Sequence, residues 1–248
     1  MSEPFTLRSN IKEISKWFDD VQKKQLPFAI SQALNQTAKD IKEAEIWEMK
    51  KVFDKPTPYT LNSLQITPSR KSRPVVSLWF KWDFGQKHYL VPQVEGGSRE
   101  QKRSEHWLSN VGPAKSRISA YPFWVPASVG ARINKYGNIS PGQITQILAG
   151  LQASPDATQW TTRRSRQRKR RTARPIYVAI TKENGGLHPG VYQRLGAGGR
   201  RLRPILLFVK SVHYAPIFDF YGVAWKTTFE KFNENFTKAL DYALATAK

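Results

Sequence analysis

Apolar residues recur at helical spacing towards both ends of the chain and at strand spacing between them. Ile11, Ile14, Trp17, Phe18 and Val21 form a stripe that predicts a first helix over residues 9–24. Pro27 then marks a fresh start, because proline is tolerated in a first helical turn. A second helix is predicted from there to about residue 53, with Ile30, Leu34, Thr37, Ala38, Ile41 and Ala44 on one face, continued by Met49 and Val52. Its other face carries Lys39, Asp40, Lys42, Glu43, Lys50 and Lys51, as expected of a helix lying on something. That support is either the chain's own sheet or another subunit. At the far end Phe229, Phe232, Phe236, Leu240, Ala243 and Leu244 form the stripe of a long helix over residues 222–247.

The middle reads as β-rich. Pro56 and Pro58 stop the second helix. Val76, Leu78, Phe80 and Trp82 then alternate with Val75, Ser77, Trp79 and Lys81, a two-residue period. Residues 88–94 form a shorter expected strand, with Pro92 marking an edge or a bulge. Ser98 and Gln101 have capping-box spacing and predict a helix to about residue 108. Ser140 with Pro141 and Gln143, and Ile139 against Ile144, predict another to about residue 152. Residues 154–174 show no periodicity. Ile176, Val178 and Ile180 resume a strand, residues 184–203 read as a glycine-rich flexible loop, and residues 204–214 give a strand apolar on both faces, hence central. The expectation is one α+β domain over residues 1–248, with a mixed, mostly antiparallel sheet core. A helical N-terminal part (1–55), a basic loop (154–174), the glycine-rich loop (184–203) and a C-terminal helix (222–247) accompany it.

Charge changes this picture. Of the formal net charge of +21, residues 1–60 hold ten Lys/Arg against nine Asp/Glu and residues 216–248 four of each, so residues 61–215 hold 26 against six. Within them Arg163, Arg164, Arg166, Arg168, Lys169, Arg170, Arg171 and Arg174 fall in twelve consecutive positions. A stretch that basic repels itself unless a polyanion or an acidic partner neutralises it. The pattern fits a structural protein working beside nucleic acid better than a small-molecule enzyme. The longest apolar run, residues 205–209, is far short of a membrane span, and the opening lacks a signal-peptide pattern. The expectation is a soluble protein made in a cytoplasm, with no membrane partner.

Catalytic chemistry is hard to find. The absence of cysteine excludes disulfides, thiolate metal sites and cysteine nucleophiles. His88, His106, His188 and His213 fall in different expected elements without ligand spacing. Asp83, Glu95, Glu100, Glu105, Asp156 and Glu183 are the only acids between residues 61 and 215, and no spacing among them suggests a magnesium site. Gly196-Ala197-Gly198-Gly199 precedes a strand, whereas a dinucleotide turn follows one and opens a helix. No enzyme activity, cofactor or metal is expected.

The basic run is the one strong chemical signal. Each phosphate it neutralised would release counterions and steepen salt dependence. Only Trp160 flanks it, so sequence-independent backbone contact fits better than base stacking. The plain alternative is a solvated loop serving solubility or meeting an acidic neighbour. Two further clusters, Arg70, Lys71 and Arg73, and Arg200, Arg201 and Arg203, each precede an expected strand. If those strands are neighbours, the clusters and the loop gather at one end of a sheet.

The string Tyr89-Leu90-Val91-Pro92-Gln93-Val94-Glu95-Gly96-Gly97-Ser98-Arg99, continuing to Lys102, Arg103 and Glu105, resembles a motif of phage and prophage minor tail proteins of the lambda protein Z type. Val125-Pro126, Lys135-Tyr136-Gly137-Asn138-Ile139, Gln146-Ile147-Leu148, Pro189-Gly190-Val191-Tyr192, Arg203-Pro204 and Phe218-Asp219-Phe220 fit the same pattern, as does Ala33-Leu34-Asn35-Gln36-Thr37-Ala38 near the start. The resemblance implies a tail-completion or neck component at the head-proximal end of the tail, assembled in the host cytoplasm and residing in the virion. It implies a ring of copies, six expected, beside tail terminator, tail tube or connector proteins, around the channel for phage DNA. A stand-alone sequence-independent nucleic-acid-binding protein is the alternative.

Overall fold

A computed structural model describes residues 16, 21–81, 88–110, 121–162, 176–180, 186–196 and 199–246. In chain order the principal elements are α1 (Leu26–Val52), α2 (Pro58–Leu61), β1 (Leu64–Thr67), β2 (Ser77–Phe80), α3 (Val91–Glu95), β3 (Gly97–Ser98), α4 (Arg103–Asn110), β4 (Phe123–Pro126), α5 (Pro141–Gly150), β5 (Tyr177–Ile180), β6 (Gly190–Leu195), β7 (Arg201–Val209), β8 (His213–Tyr214) and α6 (Phe220–Ala245). Most of the expected first helix, residues 9–24, lies outside the described residues; its end, Val21–Gln25, is a π-helical turn leading into α1. The class is α+β, and among the described residues every strand pair is antiparallel. Where the sequence reads as one domain, the chain divides into two compact units: residues 1–84 with 217–248, and residues 85–216.

In the first unit α1 and α6 run antiparallel. Phe28 meets Tyr242 at 6.4 Å between ring centres, the Asn235 amide donates to Thr37 Oγ1 (3.1 Å) and Asp40 Oδ2 (2.7 Å), and Phe53 faces Phe218 at 5.7 Å. The face α1 buries is Ala29, Ser31, Ala33, Thr37, Ala38, Glu45 and Met49. Ile30, Leu34 and Ile41, expected at its centre, are only half-buried. Small side chains let the second helix approach closely, so the alanine-rich face wins over the larger residues. Asp219 caps α6, its Oδ1 accepting from the Gly222 amide at 3.0 Å. Ala243 is buried and Phe232, Phe236 and Leu240 are half-buried, but Phe229 is 81% exposed. With Trp225 (75%) and Tyr221 (67%) it continues the stripe as an aromatic ridge turned to solvent. The β1–β2 hairpin completes the unit, Leu64 opposite Phe80 and Thr67 opposite Ser77. The expected strand over 75–82 thus forms only over Ser77–Phe80, and Trp82 lies outside the described residues.

The second unit is built on a four-stranded sheet of order β4-β7-β6-β5. β7 is interior, as its apolar character on both faces requires. Its core joins Leu108, Trp124, Ile147, Leu148, Tyr177, Val191, Ile205, Leu206 and Phe208. Three expectations fail here. Residues 88–94 form no strand; Pro92 sits in the first turn of α3, where its missing N–H costs nothing. The glycine-rich stretch 184–203 is not one loop. It holds β6 and the start of β7, and a side chain at Gly190 would collide with the Leu206 carbonyl, so this glycine serves close strand approach. The helix expected at Ser98 begins at Arg103, because Ser98 pairs in β3 with His213 of β8, and the Glu105 carboxylate caps the Lys102 amide at 2.6 Å. At α5 the expected start holds, but Ser140 makes no side-chain cap. Gln143 instead clamps the preceding loop, accepting from the Arg132 amide (2.6 Å) and donating to the Gly130 carbonyl (3.1 Å).

Candidate functional site

The motif around Tyr89 to Glu105 builds a structural staple. Tyr89 and Leu90 lead into α3, with Leu90 and Pro92 buried. Gly96 (φ 77°) and Gly97 (φ 96°) then take left-handed backbone that side chains disfavour. This turn delivers Arg99 to a buried, two-point pair with Glu105: Nη1 to Oε2 at 2.7 Å and Nη2 to Oε1 at 2.5 Å. Glu105 also accepts from the Trp124 amide of β4 at 3.0 Å, so one carboxylate ties loop, α4 and sheet together. Burial works against the Arg99 charge, but Glu105 and the Tyr214 side chain outweigh it and hold the guanidinium above its ordinary range. Sequence reading counts Glu105 among scattered acids; its spacing from Arg99, inside one motif, is the signal that pairs them.

The other motif residues are also structural. Tyr136, Gly137 and Asn138 form a tight turn in which Asn134 Oδ1 accepts from the Tyr136 and Asn138 amides, both at 3.0 Å, and Gly137 takes φ 77°. Phe218 and Phe220 join Phe80 in an aromatic cluster, Phe80 lying 6.5 Å from Phe218 and 5.1 Å from Phe220. In the same unit Glu45 is fully buried on α1 with no partner at either oxygen. Burial first, then the charges of Asp219 and Glu48, push its carboxyl up to about 8.

The run Arg163, Arg164, Arg166, Arg168, Lys169, Arg170, Arg171 and Arg174 lies outside the described residues. Its two attachments are described: the Thr161 amide donates to the Ala149 carbonyl at 2.9 Å, and Ile176 leads into β5. Arg201 and Arg203 lie at the start of β7, with Arg200 just before it. The register sets Tyr177 of β5 opposite Gln193 of β6, and Gln193 opposite Arg203 of β7. The cluster and the return point of the run thus share one end of one sheet. A further residue, Arg194 of β6, sits there too, its amide donating to the Ile176 carbonyl at 2.8 Å. Sequence reading misses it because a single arginine in a strand carries no signal until the strand's partner is known.

The third cluster does not join them in that sheet. Arg70 and Arg73 face each other across the turn between β1 and β2, in the other unit, and Lys71 lies over the Phe28 ring at 4.7 Å. Asn35 of α1 holds this turn by accepting from the Ser69 amide (2.7 Å) and donating to its carbonyl (3.1 Å). A pocket of about 430 Å³ opens beside it, lined in part by Thr67, Arg70, Ser72 and Arg73.

The division into units sharpens the charge pattern. The unit of residues 85–216 holds 22 Lys/Arg against five Asp/Glu, the other 18 against 14. Among the described residues no three His, Asp or Glu side chains are placed to share a metal ion, and no helix is long and apolar enough to cross a membrane. No family model matches the chain, and neither does any curated protein or solved structure.

Proposed function

We propose that this chain is a structural virion protein of a tailed phage: a tail-completion or neck subunit at the head-proximal end of the tail that helps join tail to head. It assembles with copies of itself, six expected, against tail terminator, tail tube or connector proteins. It touches the DNA passing through by sequence-independent phosphate contacts of residues 163–174. The observation that carries this reading is the segregation of charge between the two units. A strongly basic unit suits a polyanion, while a nearly neutral unit with an exposed aromatic ridge suits protein neighbours, whose contacts favour tyrosine, tryptophan and phenylalanine. Copies around a common axis would repeat one basic segment as a collar. DNA that must move is better held by phosphate contacts than by base readout. The segments similar to the lambda protein Z type supply the virion setting.

The test is the mass of the purified protein by light scattering, with and without duplex DNA at low salt, followed by binding to phage tails. A closed multi-copy assembly, formed alone or on tails, is expected. A stable monomer that binds DNA tightly and has no affinity for tails would instead favour a stand-alone nucleic-acid-binding protein, which the basic unit alone also supports.

A further inference from the structure

The β6–β7 pair is longer than the strands beside it. Pairing with β4 ends at Pro126 opposite Leu206, and pairing with β5 starts at Tyr177 opposite Gln193. Past those pairings the two strands continue through the rung Arg194–Leu202, where the Arg194 amide still donates to the Ile176 carbonyl, to the rung Leu195–Arg201 at the tip of a two-stranded arm. The arm turns at Gly196 (φ 77°) and Gly199 (φ 65°), closed by the Gly199 amide donating to the Gly196 carbonyl at 3.0 Å.

Four arginines surround this turn: Arg194, Arg200, Arg201 and Arg203. Cross-strand partners share a face, so Arg201 and Arg203 fall on the face of Leu195 and Gln193, and Arg194 on the other. No acidic residue occurs in the sequence between Glu183 and Asp219. Among the described residues none of the four arginines meets a carboxylate; Arg203 Nη2 donates to Gln193 Oε1 at 2.8 Å, and the Nε atoms of Arg194 and Arg203 are buried without a partner. Like charges gathered on a turn, with no carboxylate beside them among the described residues, repel one another until a polyanion arrives. The glycines matter for the same reason, since Gly196 and Gly199 carry no side chain to hold a phosphate backbone away.

We propose that this arm is itself a phosphate-backbone contact for duplex DNA, made of residues other than the run 163–174. The proposal rests on the reading that the chain touches DNA. Arg200 and Arg201 are exposed, so Arg200→Gln with Arg201→Gln tests the contact without disturbing the core. Lys210→Gln, just past the opposite end of β7, is the control. Binding to a duplex of random sequence is titrated at several salt concentrations. The double variant should lower the magnitude of the slope of log K against log salt by about 2, at about 0.9 per lost phosphate contact, and the control by less than half of one contact. A wild-type slope in the double variant, with a lowered slope when the run is neutralised, would overturn the arm and leave the DNA reading standing. No salt-dependent binding by the unaltered protein would overturn both.

Discussion

Arg99 and Glu105 hold each other in a two-point ion pair that is shut away from water, and the same carboxylate accepts from the backbone of both α4's lead-in and β4. Removing one member leaves a buried charge without its partner. Arg99→Ala is expected to destabilise the protein by about 3–5 kcal/mol, read from urea unfolding. Replacing both residues with apolar side chains of similar size should recover much of that loss, because the desolvation penalty disappears with the charges. A small loss in the single variant would mean that the pair contributes little beyond its own solvation cost.

Glu45 should give the protein a stability that falls with rising pH. Its folded carboxyl titrates at about 8, against 4.5 for an ordinary carboxyl. Below about pH 4.5 both folded and unfolded forms are protonated and the stability is fully present. Above that the unfolded chain gives up its proton first, and stability drops by about 1.4 kcal/mol per pH unit until the folded group also titrates near 8. Glu45→Gln should flatten this stretch of the curve. Urea midpoints measured at pH 5, 6.5 and 8 in both proteins check it, and parallel curves would refute the buried acid.

The α6 ridge allows folding to be tested apart from the proposed association. Trp225→Ala and Phe229→Ala should each shift unfolding by less than about 0.5 kcal/mol, as exposed substitutions do, while reducing the assembled mass in light scattering. Phe232→Ala and Phe236→Ala, half-buried and stacked at 6.1 Å, should each cost roughly 1.5–2.5 kcal/mol, half the loss for a fully buried phenylalanine. A large unfolding shift from Phe229→Ala would show the ridge to be part of the monomer's core.

Neutralising Arg163, Arg164, Arg166, Arg168, Lys169, Arg170 and Arg171 should remove most of the salt-dependent DNA affinity and leave the thermal unfolding midpoint in place. Each lost phosphate contact lowers the salt slope by about 0.9. An unchanged slope would take the DNA role away from this segment.

The long helices, the central β7 and the basic middle were legible because each is a long or repeated signal. The alanine-rich face of α1 was legible only in part: Thr37, Ala38 and Met49 fall on the expected stripe and are buried, but periodicity weights Ile30 and Leu34 above Ala29 and Ala33, and close helix approach reverses that weighting. β1 and β4 are four residues each, too short for alternation to register. Gly190 reads as a loop residue although it marks strands in close contact. The candidate site was half legible. Arg200, Arg201 and Arg203 stand out as a run, but Arg194 belongs with them only through the β6–β7 register, which depends on contacts remote in sequence. Glu105 looked like a stray acid because its partner's direction is set by the backbone of Gly96 and Gly97.

The first unit is made of the two ends of the chain, and this has a consequence for synthesis. α1 leaves the ribosome early, but the helix that covers its alanine face is translated last, after the 132 residues of the second unit. At ordinary elongation rates of about 5–20 residues per second that interval is on the order of ten seconds. By its end the basic unit has its whole sequence and can fold, while Ala29, Ala33, Ala38 and Met49 have waited uncovered throughout. The nearly neutral unit therefore closes after the basic middle is complete, and the nascent protein presents its charged unit before its neutral one.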